Sequence, residues 1–324
     1  YQLMTRLFGN KTSTNKSYGT IEENGVGKFN DITTTALRGI LELGTTHVWY
    51  TGIIEHATLT RYTSFGIAPD DPRVVKGRAG SPYAIKDYYD VDPDLAVSIP
   101  DRMQEFEELV QRTHECQLKV IIDFIPNHVA RAYRSDAKPA SVKDLGEGDD
   151  VTSSFHPNNN FYYLPGESFE APDIHRPTDA LLHPAGEEKF QEVPAKATGN
   201  DAFVAAPDIH SWFETVKLNY GVDIRQNRMT HFHPIPDTWF KMRDILLFWA
   251  GKKIDGRLVV APPPAAIAGV AVFKTRDGEF KTTDRAVTQV RITRRGHRVV
   301  VVLDDVVEHA QRGVDGLFEL GLIE

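Results

Sequence analysis

Lys119-Val120-Ile121-Ile122-Asp123-Phe124-Ile125-Pro126-Asn127-His128 is the stretch on which the fold turns. Its first six residues form a short, almost wholly apolar run, the pattern of a strand buried on both faces of a parallel sheet. Upstream, Ser98-Ile99-Pro100-Asp101 resembles a capping box, and Met103, Phe106, Leu109 and Val110 then recur at spacings of three and four, which places them on one helix face. Further upstream, Gln2 to Phe8 and His47 to Gly52 read as strands, with a helical pattern from Asp31 to Leu43 between them that closes at Gly44. Strand, helix, strand, helix, strand in that order predicts a parallel α/β fold.

Downstream of His128 the pattern lapses. From Ala130 to about Tyr220 the chain is rich in Asn, Pro, Gly, Asp and aromatic residues, including Asn158-Asn159-Asn160-Phe161-Tyr162-Tyr163. A connection of that length inside a compact domain is a subdomain or a functional lid. Helical period returns at Met242, Ile245, Leu246 and Trp249, ends at Gly251, and leads through Lys253-Ile254-Asp255-Gly256 into a fourth strand.

Composition divides the chain. The segment Leu258 to Glu324 holds nine basic and nine acidic residues, so the whole formal charge of −8 belongs to the residues before it. Every tryptophan, tyrosine, serine and asparagine also lies before Leu258, whereas the tail carries Pro262-Pro263-Pro264 and the valine run Val299 to Val302. The chain therefore reads as two pieces of different origin, the second a small α+β unit at most, with strands at Phe280 to Val290 and Arg298 to Leu303 and a short helix at Val306 to Leu317. The acidic balance argues against nucleic acid or an anionic membrane as partner, and no run approaches the roughly 20 apolar residues of a membrane helix. The single cysteine, Cys116, forms no internal disulfide and suits a small core position. The chain opens at Tyr1, as a fragment or a chain that has lost a leader would, and neither an extracytoplasmic nor a cytoplasmic location follows.

The chemistry concentrates after the central strand. In a parallel barrel the carboxyl ends of the strands face the ligand, so Asp123, Asn127 and His128 are site candidates. Taken alone, Asp-x-x-x-Asn-His equally describes an aspartate that caps a turn and a hydrogen-bonded core histidine. His231 and His233 form a His-x-His pair without an evident third ligand, and Asp144, Glu147, Asp149 and Asp150 form an acidic cluster, both read as solvated loops.

Three further segments accompany that pattern: Gly80-Ser81-Pro82-Tyr83-Ala84-Ile85-Lys86-Asp87-Tyr88 before it, then Lys217-Leu218-Asn219 and Ile254-Asp255-Gly256-Arg257 after it. The ordered set resembles the α-amylase family of glycoside hydrolases, and bacterial α-amylases within it, from Tyr1 to about Arg257. The resemblance implies a partial (β/α)8 TIM barrel of about four strands, divided as residues 1–129 for the first part of the barrel, 130–220 for an inserted domain B, 221–257 for the return to the barrel and 258–324 for an unrelated tail. It implies α-glucans or maltooligosaccharides as ligands, without fixing an oligomeric state. Tyr83 would stack on a glucose ring, His128 would donate to a hydroxyl of the same sugar, and Asp123 would orient the neighbouring Arg257. Asn127 matches a position that binds structural calcium through its side-chain oxygen, the one cofactor raised. Asn219 matches the Leu-Asn motif beyond domain B.

The pattern then fails. The family's nucleophile is an aspartate two residues after the arginine of strand four, and here that residue is Val259. The later acid/base glutamate and His-Asp pair have no recognisable counterpart, and Asp304, Asp305 and Glu308 after the valine run read as turn residues. No catalytic residue is recognisable. The chain is expected to descend from a retaining α-1,4-glucan hydrolase or a related transglycosylase or isomerase and to show little hydrolysis; a non-catalytic glucan-binding protein is the alternative.

Overall fold

The computed structural model describes residues 1–173 and 190–256 with their side chains, and beyond them the backbone of Gly256–Val259, Val272–Lys274, Phe280–Thr282, Gln289–Arg295 and Arg298–Asp304. Four parallel strands, β1 (Gln2–Met4), β2 (His47–Thr51), β3 (Lys119–Phe124) and β4 (Gly256–Val259), lie side by side in that order. Helix α1 (Thr34–Glu42) joins β1 to β2, α2 (Arg102–Glu115) lies between β2 and β3, and α3 (Asp237–Gly251) precedes β4. The sheet is open among the described residues, with β1 and β4 as its outer strands.

Local chemistry sets the helix boundaries. Thr33 caps α1 by accepting from the Ala36 amide, and after its last turn Gly44 sits at φ +79°, a conformation that suits glycine. The capping acid of α2 is Glu105 rather than Asp101: its carboxylate accepts from the amides of Val97 and Ser98, so Ile99–Asp101 becomes a 3₁₀ turn and the helix starts at Arg102. The apolar face read from the sequence is the buried one, with Phe106, Leu109 and Val110 inside and Met103 half-buried.

Strand burial alternates with period two. Val48 and Tyr50 of β2 and Val120 and Ile122 of β3 are sealed beneath the helices, where the Tyr50 hydroxyl meets Thr113 of α2 at 2.7 Å. Trp49 and Ile121 face the other way and are only half-buried, and Lys119 is exposed. The expectation of a strand covered on both faces thus holds for the helix side alone, because an open sheet leaves its inner face uncovered. One apolar core runs from Leu3 through these strands to Tyr220, Trp239, Met242 and Trp249, and the Trp249 indole donates to the Tyr88 carbonyl at 2.7 Å. Side chains of this size each stabilise the fold by roughly 1.5–3 kcal/mol on burial.

Between β3 and α3 the chain makes short antiparallel pairs, Tyr163–Leu164 with Ala195–Lys196 and His128–Ala130 with Thr215–Lys217. Asn160, fully buried, ties this region to α3: its amide nitrogen donates to Asp237 and Thr238, and its oxygen accepts from Gly146 and Lys241. The acidic cluster divides: Glu147 and Asp150 are exposed, as a solvated loop would have them, whereas Asp144 and Asp149 are half-buried and serve as internal scaffolding. Asp149 accepts from the amides of Asn160 and Phe161 and the Tyr163 hydroxyl, and Asp144 from the Ser135 amide. Cys116 is buried in the core as expected.

In the tail, Val272–Lys274 pairs with Phe280–Thr282 and Gln289–Arg295 with Arg298–Asp304, so the second expected strand is found and the first is found at its two ends, residues 283–288 lying outside the described ones. The three prolines, the expected helix at Val306 to Leu317, and Asp305 and Glu308 lie outside the described residues. No helix among the described residues is long and apolar enough to cross a membrane.

Candidate functional site

The site forms where β2 and β3 end. Because Trp49 is in register with Ile121, two residues before Asp123, all three side chains lie on the inner face of the sheet. The Trp49 indole donates to Asp123 Oδ1 at 2.5 Å and the Gly52 amide to Oδ2 at 2.9 Å. Gly52 stands at φ +74°, a conformation that strains any side chain, and a Cβ there would press on Pro82 at 3.1 Å. Asp123 is 2% exposed, and burial raises its pKa above the usual carboxylate value against the opposing pull of its two donors. No charged side chain among the described residues contributes to that shift.

Tyr83 reaches the same place from the start of a buried strand, Ile85–Val91, which pairs with Ile54–His56. A turn closed by Ala84 donating to the Ser81 carbonyl at 3.0 Å presents it, and its phenol responds first to burial and then to the Asp123 charge, both of which raise its pKa. Asp87, in the same motif, is scaffolding: it accepts from Ser135 Oγ and from the amides of Tyr89, Asp136 and Ala137.

Past β3 the chain is pinned by two phenols, Tyr88 donating to the Ile125 carbonyl and Tyr220 to that of Pro126. His128 then enters a short strand opposite Lys217. Its Nδ1 accepts from the Asn127 amide at 2.9 Å, and the ring also bonds the Tyr83 backbone. Burial, reinforced by the Lys217 charge, pulls its pKa down to about 4, so the imidazole is neutral at pH 7. Trp212, 40% exposed, stands edge-on to it with ring centres 5.2 Å apart.

Asp123, Tyr83 and His128 are therefore brought together as the sequence suggests. Arg257 is in register with Ile122, one position short of Asp123, and its side chain lies outside the described residues. Leu258 is the β4 residue opposite Asp123, and Val259 is opposite Phe124. Asn219, fully buried, donates to the His156 carbonyl and accepts from the Gly221 amide, which holds the return toward α3. The two histidines are separated in role: His231 packs on Phe155 with ring centres 5.2 Å apart, and His233 is exposed. Trp49, Trp212 and Lys217 were not singled out by sequence reasoning; Lys217 sat inside a quoted motif and Trp49 inside the strand read at His47 to Gly52, but Trp212 had no pattern around it.

Asn127 bears on the expectation of calcium. Its side-chain oxygen accepts from the ammonium of Lys217, which also pairs with Asp201 at 2.7 Å. A divalent ion at that oxygen would stand against a fixed positive charge, so the residues present do not fit calcium there. Among the described residues, no three His, Cys, Asp or Glu side chains gather as a metal site elsewhere.

Chemically, the arrangement offers aromatic faces, a neutral imidazole and one carboxyl already held by two donors. That suits a neutral, hydroxylated ligand. Retaining glycoside hydrolysis requires two carboxyls about 5–5.5 Å apart, and no second carboxyl is among the groups that shift the Asp123 pKa.

A profile of the family described as "Alpha amylase, catalytic domain" matches residues 14–285, past the change in composition at Leu258. Among solved structures, an alpha-amylase from Lactobacillus plantarum is 21% identical with a TM-score of 0.40, covering 80% of this chain and 37% of that one. A trehalose-6-phosphate hydrolase from Bacillus licheniformis is 18% identical with a TM-score of 0.41, covering 80% of this chain and 34% of that one. Among curated proteins, the amino acid transporter heavy chain SLC3A1 of Rattus norvegicus is 46% identical over 48 residues, 15% of this chain and 6% of the relative's length. The chain thus spans well under half of each of these proteins.

Proposed function

The chain belongs to the alpha-amylase family, and from that premise we propose that its β2–β3 end is an α-1,4-glucan subsite that binds starch-like chains without cleaving them. On this reading the four parallel strands are the first four of a (β/α)8 barrel and residues 130–220 are its domain B; the tail from Leu258 departs in composition, although the family match runs on to residue 285.

The observation that carries the proposal is the convergence of Tyr83, Asp123, His128 and Trp212 at the carboxyl ends of β2 and β3, with Leu258 and Val259 opposite on β4. Aromatic rings suit the C–H faces of sugars and a neutral histidine suits their hydroxyls. A valine at the nucleophile's position cannot attack an anomeric carbon.

Affinity electrophoresis in starch gels, run beside an assay for reducing sugar, tests this. Retarded mobility without product is the expected result. Unchanged mobility removes the subsite. Sugar release abolished by Asp123→Asn and untouched by Asp255→Asn would falsify the non-cleaving reading while keeping the site.

A further inference from the structure

We propose that Lys217 is an internal cation that stands where a metal would otherwise join the end of β3 to the inserted region, and that this junction is therefore independent of calcium. The inference rests on geometry alone and does not depend on what the site binds.

Three oxygens converge on the Lys217 ammonium. Asn127 contributes its side-chain oxygen from just beyond β3, Asp201 a carboxylate oxygen at 2.7 Å, and Gly199 its carbonyl at 3.5 Å. These come from both sides of the junction, since Asn127 adjoins the barrel strand while Gly199 and Asp201 lie in the insertion some 70 residues later. A carboxylate, an amide oxygen and a peptide carbonyl are the donor set that a hard cation selects. Here the positive charge is covalently attached.

The arrangement is built rather than incidental. Lys217 is 3% exposed, and long ammonium side chains are almost never buried so deeply without a paired counter-charge. Asp201 holds the left-handed conformation, φ +67°, which few non-glycine residues adopt; a tight turn closed by its own amide on the Thr198 carbonyl at 3.0 Å keeps it there. Its second oxygen faces Arg228 at 3.4 Å, so both ends of the carboxylate are committed. Asn127 is oriented to present oxygen rather than nitrogen, because its amide nitrogen donates to Gly199 and to His128. Backbone strain, amide orientation and burial all serve one ammonium position. By the same bonds Lys217 fixes the residue that supports His128, and so sets the site indirectly.

Thermal unfolding of the full chain tests this, with calcium and with a chelator. The unaltered protein is expected to melt at the same temperature in both. Lys217→Ala removes the ammonium and leaves its oxygens facing one another; it should melt lower by about 5 °C or more and recover part of that loss when calcium is added. Lys217→Arg should stay insensitive to calcium. An alanine variant as stable as its parent, or one that calcium does not rescue, overturns the proposal. Should that variant fail to accumulate folded, calorimetric titration of calcium into the unaltered protein decides: saturable binding overturns the proposal and its absence supports it.

Discussion

Trp49 donates its indole N–H to Oδ1 of Asp123 across the β2–β3 boundary, joining residues 74 positions apart in the chain. With the Gly52 amide on the other oxygen, the carboxyl is held between two donors. Replacing Trp49 with Phe keeps most of the ring and deletes one donor. The expected loss is about 1–3 kcal/mol of stability, the cost of leaving a buried acceptor unsatisfied, read from the urea midpoint. Burial already raises this carboxyl, so the native state holds its proton more tightly than the unfolded chain, and the contribution to stability falls as pH rises above the ordinary aspartate value. Trp49→Phe removes one opposing bond and should steepen that fall.

His128 gives a pH dependence of opposite sign. Its native pKa of about 4 lies below the ordinary 6.5, so its contribution is fully present above 6.5 and is lost as pH falls toward 4. The gap amounts to about 3 kcal/mol. Denaturant midpoints between neutral and mildly acidic pH should decline more in the parent than in His128→Gln, and parallel curves would count against a buried neutral histidine.

The ring of Trp212 is exposed beside His128, so Trp212→Ala should leave stability within about 0.5 kcal/mol of the parent. Maltooligosaccharide affinity should fall about fivefold, the loss of one aromatic contact of about 1 kcal/mol. Tyr83→Ala should weaken affinity by at least as much. Affinity electrophoresis across a starch series distinguishes the two effects, and unchanged retardation in both variants would remove these rings from the subsite.

Asp255 belongs to the opposite end of the sheet. It accepts from the Val120 amide at 2.8 Å and meets His114 of α2 at 2.7 Å, before β4 begins. Asp255→Asn should lower stability by about 1 kcal/mol and leave glucan retardation unchanged, because both partners are part of the frame. Weakened retardation at unaltered stability would place Asp255 in the subsite instead.

Asn160→Ala removes a fully buried amide with partners on both of its atoms, Gly146 and Lys241 on the oxygen and Asp237 and Thr238 on the nitrogen. The expected cost is about 3 kcal/mol or more. Protease sensitivity should rise between β3 and α3 first, since that is the region the amide ties down.

Much of the frame was legible before any coordinates. The apolar run Lys119 to Phe124 is β3 residue for residue, and the three- and four-residue spacing of Phe106, Leu109 and Val110 marks the buried face of α2. These succeed because burial of one face is a periodic constraint that a linear sequence records. The start of α2 was misread because Ser98 and Asp101 satisfy the pattern of a capping box, while the carboxylate that reaches back comes from Glu105. Local patterns name candidate partners, and three-dimensional reach chooses among them.

The sequence by itself determined the order of strands and helices, the long insertion, the grouping of Tyr83, Asp123 and His128, and the valine where an aspartate is expected. The first two are properties of neighbouring residues or of a repeating period, and the last two follow from the family resemblance. Only the tertiary structure decided what those residues do. Asp123 is held by an indole two strand positions away in register, and the oxygen of Asn127, which the sequence offered to calcium, is given to Lys217. The physical reason is that a donor and its acceptor need only be 3 Å apart in space, whereas here they lie 74 and 90 residues apart along the chain.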